Sequence, residues 1–98
     1  MDLHQLAANA SEAESFMKLL ANKNRLMILC SLIENECSVS QLNLRIPLGQ
    51  SALSQHLATL RKHELVSTRR DAQSIYYSVS DQRVKDIIGT LYQCFCVK

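Results

Sequence analysis

Glycine and proline are scarce in this 98-residue chain, which has two of the first and one of the second. Two glycines leave little room for loops that cradle phosphates. No P-loop, G-x-G-x-x-G, nucleophile elbow or H-E-x-x-H occurs either. A thiol oxidoreductase would want C-x-x-C at a helix N-terminus, and only C-x-C is found, near the opposite end. These absences argue against an enzyme. No apolar run reaches about eighteen residues, so no membrane span is expected. The opening MDLHQLAANASEAES has neither a basic n-region nor an apolar h-region, so secretion is not expected and a cytoplasmic address is. There, four cysteines read as thiols, metal ligands or a redox pair before they read as a disulfide framework.

What is present suits one compact domain over 1–98, with 47% hydrophobic residues. The net charge of +2 is unevenly placed. Residues 1–17 sum to −3 and residues 18–36 to +1. Residues 37–70 sum to +4, with Arg45, Arg61, Lys62, Arg69 and Arg70 against Glu64, and the remainder is neutral. The middle of the chain can therefore build a polyanion-binding surface, although a solvated charged face has the same signature.

The pattern predicts four helices, a hairpin and a last helix. Residues 1–10 read as frayed or partly helical, and Ser11 with Glu14 makes a capping-box pattern for a helix running through Leu20. Lys23–Glu34 is a second helix with Leu26, Leu29, Cys30 and Ile33 as its apolar stripe. Ser38 with Gln41 opens a short helix with Leu42 and Ile46 inward, and Pro47 ends it. After Gly49 a helix runs from Gln50 to about His63 with Leu53, Leu57 and Leu60 inward. Leu65–Arg70 and Ile75–Val79 read as strands around an Asp71–Ser74 turn. A last helix from Ser80 or Asp81 carries Val84, Ile87, Ile88, Leu91 and Phe95. The order α-α-α-α-β-β-α describes a winged helix-turn-helix, mainly α with a β-hairpin wing.

Such a unit needs a supporting helix, a tight turn and a recognition helix with short polar side chains at its exposed start. Val39–Arg45, Pro47–Gly49 and Gln50–His63 supply the three parts. Gln50, Ser51, Ser54, Gln55 and His56 cluster in the first two turns of the third part. Gln can pair with adenine through two hydrogen bonds, and Ser or His can donate to phosphates or base edges. An ordinary surface helix with a polar start has the same composition, and the basic hairpin that follows favours DNA. Arg61, towards the end of that helix, joins the candidate contacts.

The stretch SALSQHLATLRKHELVSTRR with IYYSVS, together with NRLMILCSL in the second helix, closely resembles the ArsR/SmtB family of small dimeric winged-helix regulators. The likeness covers roughly residues 15–98. It implies that Ser51, Ser54, Gln55 and His56 lie at the major groove of double-stranded DNA, with an A·T-rich inverted repeat as the expected site. It implies that Arg69, Arg70 and Gln73 belong to the wing, reaching the backbone or the minor groove. The family's wing turn often holds a glycine, whereas this chain has Asp71-Ala72-Gln73.

One recognition helix covers few base pairs, so two-fold pairing is expected. The first and last helices have more apolar residues than a small core needs, and in the family they form the dimer interface. Of the family's metal sites, the C-x-C at the supporting helix is matched here by Ser38 and Ser40. The final helix has Asp81 and Asp86 but no histidine. No metal and no other cofactor is expected. Cys30 and Cys96 instead match the positions of the redox and sulfur-responsive branch of the family, with Cys37 and Cys94 as extras. On that reading a Cys30–Cys96 bridge is a switch. Three alternatives stay open: Cys30 as a small buried hydrophobe, Cys30 with Cys94 and Cys96 as soft-metal ligands of a metal-responsive repressor, and a winged-helix module that binds proteins.

Overall fold

The structure, a computed structural model, describes residues 1–97. It contains α1 (Leu3–Leu20), α2 (Lys23–Glu34), α3 (Val39–Arg45), α4 (Gln50–Lys62), β1 (Val66–Asp71), β2 (Ser74–Val79) and α5 (Gln82–Phe95). The expected element order is borne out. One apolar core joins the helices to the base of the hairpin, with Ile28, Leu29, Leu42, Ile46, Leu53, Leu57, Leu60, Leu65 and Val84 fully buried.

The expectation of a frayed start is corrected. Residues 3–10 are helical, because the Asp2 carboxylate accepts from the amides of His4 and Gln5 and caps the helix there. Ala7, Ala8 and Ala10 then propagate it at little entropic cost, so Ser11 lies inside the helix. Only Phe16 and Leu20 of α1 are buried. At its other end, Arg25 donates to the backbone oxygens of Leu19 at 2.5 Å and Lys18 at 3.1 Å, which ties the last turn of α1 to α2.

The α2 stripe is corrected as well. Ile28, Leu29 and Leu32 face the core, while Leu26, Cys30 and Ile33 are half-buried on the side towards α5. The helix touches α5, β2 and α1, so more than one of its faces is apolar. On α5, Val84 and Ile88 are buried as expected, Ile87 and Leu91 are half-buried, and Phe95 is 74% exposed.

The hairpin is regular, pairing Val66 with Val79 through to Asp71 with Ser74. Its loop is therefore two residues, Ala72 and Gln73, one pair tighter than expected, and Ala72 has φ 56°. The junction from α4 into β1 is a Schellman motif. Leu65 N–H donates to Leu60 O at 2.9 Å and Glu64 N–H to Arg61 O at 3.0 Å, with Glu64 at φ 63°. Cys37 forms a one-residue bridge to the edge of β2, since its N–H donates to Tyr77 O at 3.0 Å and its oxygen accepts from Tyr77 N–H at 2.8 Å.

Candidate nucleic-acid interface and thiol groove

The supporting helix is held by local chemistry. The Ser38 hydroxyl accepts from Gln41 N–H, and the Gln41 side chain accepts from Ser38 N–H, completing the capping box. Ser38 is thereby occupied with the backbone. Ile46 ends α3 in extended geometry before Pro47. Asn43 Nδ2 donates to Leu48 O at 2.7 Å and pins the turn into α4.

On α4 the three leucines are buried, and the opposite side is open. Ser51, Ser54, Gln55 and Lys62 share that outer side with Ala58, at i, i+3 and i+4 spacing. Gln50 and Arg61 are exposed too. His56 is half-buried, with Leu53 and Leu60 as its helical neighbours, so it stands at the flank of the outer face. Gly49 caps α4 without a side-chain hydrogen bond, whereas Asp2, Asn22, Ser38 and Asp81 cap the other four helices. The first amides of α4 thus have no side-chain partner among the described residues.

The wing separates its two arginines. Side chains alternate along β1, so Arg69 shares a face with Asp71 and the opposed Tyr76, and Arg70 shares the other with Ile75. Arg69 Nε donates to both carboxylate oxygens of Glu36, at 3.0 and 2.8 Å, and its Nη2 also reaches Glu36 Oε1. Its guanidinium lies 4.7 Å from the Tyr76 ring centroid. These hydrogen bonds hold the Glu36 carboxyl below its ordinary range and raise the Arg69 guanidinium. Arg70 and Gln73 are exposed, and among the described residues Arg70 has no acidic partner. Sequence reading missed Glu36: it pairs 33 positions away, and only the register of the Cys37–Tyr77 bridge places it there.

The thiols fall into two groups. Cys30 of α2 and Cys96, the C-cap of α5, line one open groove of about 350 Å³ with Leu26, Met27, Ile88, Leu91, Tyr92 and Phe95. Cys30 is half-buried and Cys96 exposed, and both are free thiols. Cys37 is buried, its Sγ donating to Asn35 O at 3.4 Å, and Cys94 is exposed. Among the described residues no group of three or more His, Cys, Asp and Glu gathers as a metal site, so Cys30, Cys94 and Cys96 do not form one here.

The chain is similar to proteins of known class. Residues 22–68 match the model of the "bacterial regulatory protein, arsR family". The transcriptional activator HlyU of Vibrio cholerae is 46% identical over 96 residues, which covers 98% of this chain and 89% of that protein. The crystal structure of the transcriptional repressor BigR from Xylella fastidiosa superposes with a TM-score of 0.92 at 35% identity, covering all of both chains. A homodimeric winged helix-turn-helix DNA-binding domain from Mycobacterium bovis matches at TM-score 0.76 and 26% identity, over 91% of this chain and 82% of that one.

Proposed function

Because the chain belongs to the arsR family of bacterial transcriptional regulators, we propose that it binds DNA as a homodimer whose affinity is set by the oxidation state of Cys30 and Cys96. It is a regulator with a winged helix-turn-helix fold and not an enzyme. In this reading the outer side of α4, with Gln50, Ser51, Ser54 and Gln55, enters the major groove of an A·T-rich inverted repeat. His56 and Arg61 flank it, and Arg70 and Gln73 extend along the backbone from the wing. The open amides at the start of α4 favour a phosphate there.

Support for the dimer comes from α1. It is ~27 Å long at 1.5 Å per residue, and its first thirteen residues are all exposed. Leu3 and Leu6 are 77% and 49% exposed, as are Tyr92 and Phe95 of α5 at 50% and 74%. A single-layer arm of this kind gains its stability from a partner, and a second copy pairing α1 and α5 supplies one.

The observation that carries the switch is the shared groove: Cys30 and Cys96 border one apolar space between α2 and α5. A persulfide on Cys30 closes to a disulfide when the Cys96 thiolate attacks its inner sulfur and releases hydrosulfide. That bond would lock α2 to α5 and alter the spacing of the two α4 helices. Treating reduced protein with polysulfide, then mapping cross-links by mass spectrometry, tests it. A Cys30–Cys96 linkage, with or without added sulfur, is the expected product. Unmodified thiols together with tight zinc binding would favour the metal-responsive reading instead. Salt-titrated gel shifts separate the DNA regulator from a protein-binding module, because phosphate contacts make affinity fall steeply with salt.

A further inference from the structure

Arg69 and Arg70 are adjacent in sequence, yet the fold gives them different surroundings. Arg69 donates through two nitrogens to the Glu36 carboxylate, lies 4.0 Å from Asp71 Oδ2 and covers the Tyr76 ring. Two carboxylates therefore offset its charge, and a fork-on-carboxylate arrangement occupies the donors a phosphate would use. Glu36 belongs to the segment joining α2 to α3, the helix that supports α4. The next residue, Cys37, is tied to β2 by two backbone hydrogen bonds. Backbone bridge and ion pair thus fasten the wing to the helix-turn-helix from one short segment, the first at the edge of β2 and the second through the Arg69 side chain. Arg70 points to the opposite face with its charge open to solvent.

From this geometry we infer that Glu36 and Arg69 form a clasp that sets the angle of the wing to α4, and that Arg70 alone of the two arginines neutralises a DNA phosphate. Arg69 is then a positioning residue and Glu36 an affinity determinant of the interface, although it carries the charge DNA repels. An exposed ion pair adds little to folding stability. Its effect here lies in direction, since turning the hairpin at its base moves Arg70 and Gln73 relative to α4.

The inference rests on the DNA-binding reading, and one experiment distinguishes their failures. Affinity for a random-sequence DNA duplex is measured by fluorescence anisotropy across a salt series. The proteins compared are wild type, Arg69→Ala, Arg70→Ala, Arg69→Glu, and the exchanged pair Glu36→Arg with Arg69→Glu. Arg70→Ala is expected to lower the slope of log affinity against log salt by about one per protomer. Arg69→Ala is expected to weaken binding several-fold while keeping the wild-type slope. The exchanged pair should recover most of the affinity that Arg69→Glu loses, because the clasp re-forms with its charges reversed. Equal slope losses for the two alanine variants, with no recovery in the exchanged pair, would overturn the clasp and make Arg69 a phosphate ligand. A wild-type protein whose affinity is flat with salt would overturn the DNA reading itself, and the assignment with it.

Discussion

Glu64 and Ala72 both adopt left-handed backbone, at φ 63° and 56°, where a Cβ crowds the following carbonyl. Glu64 carries no sign of this in the sequence, because a glycine is the usual mark and both glycines lie elsewhere, whereas the glycine-free wing turn points to Ala72. Replacing either by Gly removes that crowding but adds backbone entropy to the unfolded chain. The balance predicts a gain of up to about 1 kcal/mol for each, read as a rise of a few degrees in Tm. A fall in Tm for both would contradict the strain. Acid sensitivity is also set at this scale. Arg69 holds Glu36 below its ordinary value of 4.5, and Arg83 holds Asp81 below 3.8. A lowered carboxyl adds stability above its unfolded value and loses it as the pH falls through the folded one. The contribution of Glu36, small for an exposed pair, should therefore be present above pH 4.5 and fade as the pH falls from there through the lowered folded value. Its effect on Tm should be small as well, and the direct reading is an NMR titration of the Glu36 carboxyl. A lowered value that returns to the ordinary range in Arg69→Ala is expected, and an ordinary value in the wild-type protein would contradict the pairing.

Elements were legible where their boundary signals are local. The limits Lys23–Glu34 and Val39–Arg45 follow from apolar spacing, the Ser38–Gln41 box and Pro47, and the structure has both helices at those limits. The three leucines of α4 likewise marked its inner side. The start of α1 is not legible, because Ser11-x-x-Glu14 imitates a cap while the working cap is Asp2. The buried side of α2 is not legible, because that helix packs on several neighbours and periodicity identifies only one apolar direction. The capping box gives a prediction at this scale. Ser38→Ala should destabilise the fold by roughly 1 kcal/mol, measured by denaturant unfolding. It should also weaken DNA binding, since α3 positions α4. Unfolding identical to wild type would show that the box does not hold α3.

At the scale of the molecule, the fold and family were readable from the sequence, but the contacts between distant segments were not. The Glu36–Arg69 pair and the Cys30–Cys96 groove exist only once α2, the wing and α5 are assembled. Exposed Leu3, Leu6 and Phe95 carry the argument for pairing. Leu6→Glu should place charge in that contact, shift sedimentation towards the monomer and lower DNA affinity, with a modest loss of helical circular dichroism as the exposed part of α1 frays without its partner. A variant that sediments as wild type would place the interface elsewhere. The central claim joins both ends of the molecule, with thiols between α2 and α5 governing DNA contact by α4 and the wing. Its most direct test is the ratio of DNA affinities before and after polysulfide treatment, for wild type and for Cys30→Ser. The account predicts at least a roughly tenfold change for wild type, about 1.4 kcal/mol, reversed by a reductant and absent in Cys30→Ser. Equal affinities in both states of the wild-type protein, with the Cys30–Cys96 bond confirmed by mass, would contradict it.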